Sequence, residues 1–427
     1  MKVFVFVAIW SIVYAKKYEM VLRSTGSLKA RVMKNGMNQN YPSMQETAYD
    51  QAPRKQLYTT LTSGQNMSLL IDTGSANLWI FDTTCRSFGC IVVPGSGFTR
   101  RRFNTRTSST FTRQWKQIAL SYGAGSCSGP VGKDVVSFAG NHLDIIDHLN
   151  EVKVHDYSDI RTHYFHTPCD DRKSRVYSCY GSTGRLFFFM PIDGILGLGW
   201  PAITIGEVDF GRSESKTISF FRAKDENATF SRALTLLSSP FGWTKRTPQK
   251  VGNAGLITFG AIDAINCESE INYVPLSKEA HWQFPIEGFS IGNFSQSKKR
   301  TECTDTIEIF TGSLQAISST GTSWIGAPTE IIAAVANQTR AHYDSLNKFY
   351  TVDCSTMKTQ SDLVFTINSV KYNIPPEKYV LDIGVGDGQC VLAFFEISSG
   401  SFPMDWILGE AWIRTYCNIH DFGQKRI

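Results

Sequence analysis

An all-β protein built from two similar lobes is what this sequence predicts, and three observations carry the prediction. From Leu57 onward, short apolar runs such as QIALSYGAG, GLITFGAID and DLVFTINSVKYNI are broken by Gly, Ser, Asn and Asp, with little helical period. Short strands closed by turn residues read as sheet. The segments SLLIDTGSANLW (68–79) and QAISSTGTSWIG (315–326) share an apolar run followed by Thr-Gly-Ser or Thr-Gly-Thr. Each is followed later by an apolar pair and glycine, in GILGLGW (194–200) and WILGEAW (406–412). Two ordered pairs indicate internal duplication, with each lobe giving one turn to a shared cleft.

Composition agrees. The chain has 427 residues, 42% hydrophobic and only 19% charged, against roughly 25% charged in an average domain. That supports large cores and excludes disorder, collagen and coiled coil. The net charge of +5 is too small and scattered to imply a nucleic-acid or membrane-surface partner.

Along the chain, residues 1–15 (MKVFVFVAIWSIVYA) have one lysine, an apolar run and a small residue at Ala15. That is the layout of a secretory signal peptide, too short to span a bilayer. Residues 16–50 form a basic segment and linker. Met20, Val21, Leu28 and Val32 recur at near-helical spacing there, which predicts a short amphipathic helix. An N-terminal lobe is expected over 51–254 and a C-terminal lobe over 255–427. One helix is expected at 328–339, PTEIIAAVANQT, with Pro and Glu in its first turn. Ten cysteines and four Asn-x-Ser/Thr sequons (Asn66, Asn227, Asn293, Asn337) fit secretion or a lysosome-like lumen.

On SLLIDTGSANLW, SYGAGSCSG (121–129), PIDGILGLGWPA (191–202), GLITFGAID (255–263) and WILGEAWIRTYCNIHDFG (406–423), the sequence resembles the pepsin-like aspartic peptidases, most closely secreted nematode forms. The resemblance covers most of 57–427. It implies two pseudo-symmetric β lobes, a long cleft and a hairpin flap, with peptides or proteins as substrates or ligands, no cofactor, no metal and a monomeric chain. Residues 16 to about 50 would be an activation segment or simply a solvated basic helix. Two insertions depart from the family, about 141–190 and about 300–314; each is a loop or a wrongly predicted exon. The family also runs on beyond the position of Ile427.

The family's chemistry needs two carboxylates about 3 Å apart, which share one proton because like charges that close cannot both ionise. One takes a proton from the attacking water; the other polarises the scissile carbonyl. The resemblance places these at Asp72 and at Ser319, with Gly74, Ser75, Trp79, Tyr122, Gly321 and Thr322 as substrate-binding positions. Thr73 would clamp the partner turn. Ser319, in Ser319-Thr320-Gly321-Thr322-Ser323, stands where the family has aspartate, and a hydroxyl cannot share the proton. Impaired or lost proteolysis with a retained peptide-binding cleft is therefore expected, and Asp72, without its like-charge neighbour, should titrate at an ordinary value. The alternative is an active endopeptidase working from Asp72 with a compensating group. A third reading is that the insertions prevent a folded cleft.

The resemblance also implies disulfides Cys85–Cys90 and Cys354–Cys390, and strand placement makes Cys267–Cys417 a plausible third. The pairing of Cys127, Cys169, Cys179 and Cys303 stays open. His163 and His166 with Cys169 and Cys179 have tolerable metal-ligand spacing, but a polar surface loop with a Cys169–Cys179 disulfide is the reading preferred.

Overall fold

The strand Asn66–Asp72 is buried along all but its first residue, as a strand covered on both faces must be. In the computed structural model it pairs in parallel with Gly194–Gly197, which pairs antiparallel with Leu78–Phe81. The same three-strand arrangement recurs in the second half of the chain. There Leu314–Ser318 pairs in parallel with Trp406–Leu408, which pairs antiparallel with Ile325–Ala327. The duplicated sequence pairs are thus duplicated structure. The structure describes residues 18–24, 55–61, 65–87, 90, 98–122, 125–134, 136–138, 174–179, 192–205, 233–238, 252–259, 261–297, 314–345, 347, 349–397 and 404–427.

Among the described residues, twelve strands form one large sheet, and sheets of six, four and four strands follow. This is the all-β, two-part architecture expected. The large sheet draws on both halves: Asn418–Asp421 pairs with Ala233–Ser238, and Gly252–Phe259, which crosses the expected lobe boundary at 254/255, pairs with Ala233–Ser238 and with Tyr18–Ser24. The core of the first half gathers around Leu70, Trp79, Phe81 and Ile195. In the second half Phe289, Phe365, Trp406 and Trp412 stack with centroids 4.7–5.9 Å apart. The helix Thr329–Thr339 lays Ile331, Ile332 and Val335 against this second core. Its spacing is that of one helical face.

Two expectations need correction. The helix predicted within 16–35 is extended over Tyr18–Ser24, which pairs with Gly252–Phe259 in the register Met20↔Ile257. Met20, Val21 and Leu22 form a short continuous apolar run, which periodicity cannot distinguish from a strand, and pairing with a ready sheet edge decides it. Leu28 and Val32 lie outside the described residues. The 141–190 insertion is not wholly a loop, because Ser174–Cys179 joins the large sheet between Leu78–Phe81 and Gly125–Asp134. The signal-like residues 1–15, the rest of 16–50 up to residue 50, residues 300–313, the five histidines of 142–166, Asn227, Cys169 and Cys303 lie outside the described residues.

Disulfides join Cys85–Cys90, Cys267–Cys417 and Cys354–Cys390, with Cα separations of 6.0, 6.0 and 4.9 Å. Cys127 is buried in the first core. No described helix is long and apolar enough to cross a membrane.

Gly194 sets how closely these strands approach. A Cβ there would fall on the Trp79 carbonyl and within 2.8 Å of the Ile80 Cα. Gly194→Ala is expected to cost about 1–3 kcal/mol, the usual penalty of overpacking, read as a lowered midpoint of urea unfolding.

Candidate active site

The two Thr-Gly turns emerge from the ends of the parallel strands Asn66–Asp72 and Leu314–Ser318, and they face one another. Their threonines interlock. Thr73 Oγ1 donates to the Ser318 carbonyl at 2.9 Å and accepts from the Thr320 amide at 3.0 Å. Thr320 Oγ1 donates to the Ile71 carbonyl at 2.7 Å and accepts from the Thr73 amide at 3.0 Å. Both hydroxyls are used as donor and acceptor, and Thr73 is fully buried. Four reciprocal bonds fix the separation of the turns.

Asp72 lies in this interface, 6% exposed. Its Oδ1 accepts the Gly74 amide at 2.9 Å and its Oδ2 the Ser75 hydroxyl at 2.5 Å, and the Gly321 amide of the other turn also donates to it. Opposite, Ser319 is 4% exposed. Its Oγ shares a hydrogen bond of 3.0 Å with Thr322 Oγ1, and its amide donates to the Leu408 carbonyl. The glycines make the approach possible. A Cβ on Gly74 would lie 2.6 Å from Ser319 Oγ, and one on Gly321 would strike the Asp72 carboxyl. Each turn's glycine therefore faces the other turn's leading residue, which places Asp72 and Ser319 as counterparts across the pseudo-symmetric pair.

Burial pushes the Asp72 carboxyl above the usual carboxylate range; the donors Ser75 and Gly74, the His281 charge and the Gly321 amide oppose the shift without cancelling it. The ordinary value expected from loss of a like-charge neighbour is thus corrected: desolvation alone keeps the proton on longer.

The hairpin Thr112–Tyr122 with Gly125–Asp134 brings Tyr122 over the site. Trp79 Nε1 donates to the Tyr122 hydroxyl at 2.9 Å, and that hydroxyl also bonds Ser75. Because an indole N–H can only donate, and Ser75 donates to Asp72, the bonds run in one direction: Trp79 to Tyr122 to Ser75 to Asp72. Burial holds the Tyr122 phenol well above its ordinary range, so it stays protonated as a donor.

The structure therefore brings together Asp72, Gly74, Ser75, Trp79, Tyr122, Ser319, Gly321 and Thr322. It also adds a residue that sequence reasoning missed. His281 sits in the two-residue turn between Lys278–Glu279 and Trp282–Ile286, with Nδ1 3.2 Å from the Gly74 carbonyl. No local motif marks it, and the only available signal was that it precedes a tryptophan in a short apolar run. Among the described residues no group of three or more His, Cys, Asp or Glu could hold a metal ion.

Two facing turns with a buried aspartate, a flap tyrosine and duplicated sheets have a counterpart among known proteins. The Eukaryotic aspartyl protease family matches residues 59–157 and 172–427. The chain belongs to this family. The match leaves out 158–171, inside the unusual insertion. Aspartic protease 1 of Caenorhabditis elegans is 34% identical, with 100% of this chain and 98% of that protein covered. Aspartic protease 17 of the same organism is also 34% identical, over 97% and 94%. Pepsin A of Bos taurus is 28% identical, over 86% and 80%.

In this member of the family, Thr73→Val and Thr320→Val should each cost about 1–3 kcal/mol by stranding buried partners. Their double mutant should lose clearly less than the sum, since both break one network; urea unfolding measures this. Asp72 holds its proton more tightly folded than unfolded. It therefore contributes stability that is present below ~pH 3.9 and lost as pH rises through the higher folded value. Asp72→Asn, which mimics the protonated acid, should melt like the parent at pH 3 and above it at pH 7.

Proposed function

We propose that this chain is a secreted, pepsin-like member of the family that keeps a peptide-binding cleft and has lost most of the two-carboxylate hydrolysis. The observation that supports this reading is the placement of Ser319 Oγ opposite Asp72, in a turn otherwise equipped like its counterpart. With a hydroxyl there, no proton is shared between two acids, and no second acid polarises the scissile carbonyl while Asp72 activates water. Loss of one acid–base group costs about 10²–10⁴-fold, more when groups act as a unit.

The remaining features suit binding. The Tyr122 flap, the Gly74 and Gly321 turns, and Ser75 and Thr322 are assigned to holding an extended peptide. Secretion is supported by the signal-like residues 1–15, by three disulfides, and by exposure of three sequon asparagines, Asn66, Asn293 and Asn337. The basic residues 16–50 are assigned an activation-like role, and the chain acts as a monomer.

Cleavage of a mixed peptide library between pH 3 and 7 tests the reading. Ser319→Asp should cut at least about 10²-fold faster than the parent, while both bind a peptide carrying a hydroxyl in place of the scissile amide. Cutting by the parent that Asp72→Ala abolishes would overturn the proposal.

A further inference from the structure

The turn holding His281 is fixed from three sides. The Ala280 carbonyl accepts the Trp200 amide at 3.1 Å, Trp282 Nε1 donates to the Leu198 carbonyl at 3.0 Å, and His281 Nδ1 meets the Gly74 carbonyl. The hairpin comes from the second half of the chain and all three partners from the first. A carbonyl can only accept, so Nδ1 carries the hydrogen. That fixes the tautomer and leaves Nε2 as the titrating nitrogen. Among the described residues no hydrogen-bond partner meets Nε2, and the ring is half-buried. A locked imidazole beside the aspartate turn, with one nitrogen unspent, is equipped to meet a ligand.

The charges around it define which ligand. Asp72 lies within mutual charge interaction of His281, and Lys278 on the same hairpin adds a second cation. Glu279, the other charged group of the hairpin, is held by Lys425 at 2.7 Å. With Ser319 uncharged, Asp72 is the one carboxyl of the paired turns, and burial keeps it protonated to higher pH than a free aspartate. Protonated His281 and Lys278 are therefore the cations of this wall.

We propose that His281 is a specificity residue whose protonated Nε2–H binds a carboxylate of the peptide lying in the cleft, so that the cleft selects acidic peptides in mild acid. This rests on the peptide-binding reading above. The carboxylate comes from an Asp or Glu side chain or from the peptide's own C-terminus. Burial moves the imidazole below its ordinary value, with Lys278 acting in the same direction and the Gly74 bond and Asp72 against it. Pairing then needs a pH above ~4.3, where a glutamate ionises, and below ~6.5, where a free imidazole loses its charge.

The test uses the intact purified protein and matched, C-terminally amidated peptides with a hydroxyl in place of the central amide. Glu or Gln is placed in turn at each flanking position. A third set carries Gln and a free C-terminal carboxylate. The expected result is roughly tenfold tighter binding of one Glu peptide, or of the free-carboxylate peptide, over its neutral match at pH 5. The preference should vanish by pH 7.5 and in His281→Gln, which keeps a donor for the Gly74 carbonyl. Neutral peptides that the variant still binds report an intact cleft. Equal affinity for charged and neutral peptides, or a preference that survives His281→Gln, overturns the role of His281 alone. Failure of every peptide to bind the parent overturns the peptide-binding reading and this proposal with it.

Discussion

Everything at the centre of this molecule depends on the reciprocal clamp of Thr73 and Thr320. Each turn leaves a parallel strand pointing at the other half of the chain, held on one side by its own sheet through the Leu198 amide on Asp72 and the Leu408 carbonyl on Ser319. The two hydroxyls and two amides satisfy one another and the Ile71 and Ser318 carbonyls, so buried polar groups that would be costly alone become a fixed joint. The glycines follow from that joint. At the separation it sets, any side chain at Gly74 or Gly321 would collide with Ser319 or Asp72. The large sheet supports the same geometry from beneath, since Asn418–Asp421 from the end of the chain pairs with Ala233–Ser238.

Within the joint, two effects compete over Asp72. Three hydrogen-bond donors and a neighbouring imidazole favour the anion, while removal from water favours the acid, and desolvation wins. A two-carboxylate centre raises one acid by charge repulsion, whereas this one does so by burial, and the two causes differ in consequence. Repulsion ties the proton to a partner that can use it. Burial holds it with no such partner, so the retained proton on Asp72 is a feature of stability and of cleft charge.

Much of this was legible in the sequence because it is local or repeated. The strand–turn pairs at 68–79 and 315–326 and the returning ILG glycines mark both parallel strands and both turns, since each needs only a short apolar run and residues suited to a tight bend. The helix Thr329–Thr339 was legible for the same reason. What escaped depends on distant partners. Tyr18–Ser24 is a strand because Gly252–Phe259 lies beside it, and Ser174–Cys179 is one because two strands flank it; neither neighbour is visible in the local pattern. His281 reaches the site only through a hairpin turn pinned across the halves by Trp200 and Leu198, a placement that spacing along the chain does not encode.

On the proposed reading, Ser319 changes the chemistry of the site without changing the fold. Its amide bonds the Leu408 carbonyl whatever the side chain, and its hydroxyl is met by Thr322, so no buried group is orphaned. An aspartate at this place would put a second desolvated carboxyl against Asp72, and the pair would lower stability wherever both lose their protons. Serine removes that cost and keeps the hydrogen bond. On the proposed reading, the substitution relieves strain stored for catalysis. On that same reading, the clamp, the flap and the glycine approach serve binding as well as they serve hydrolysis, and they are the parts retained.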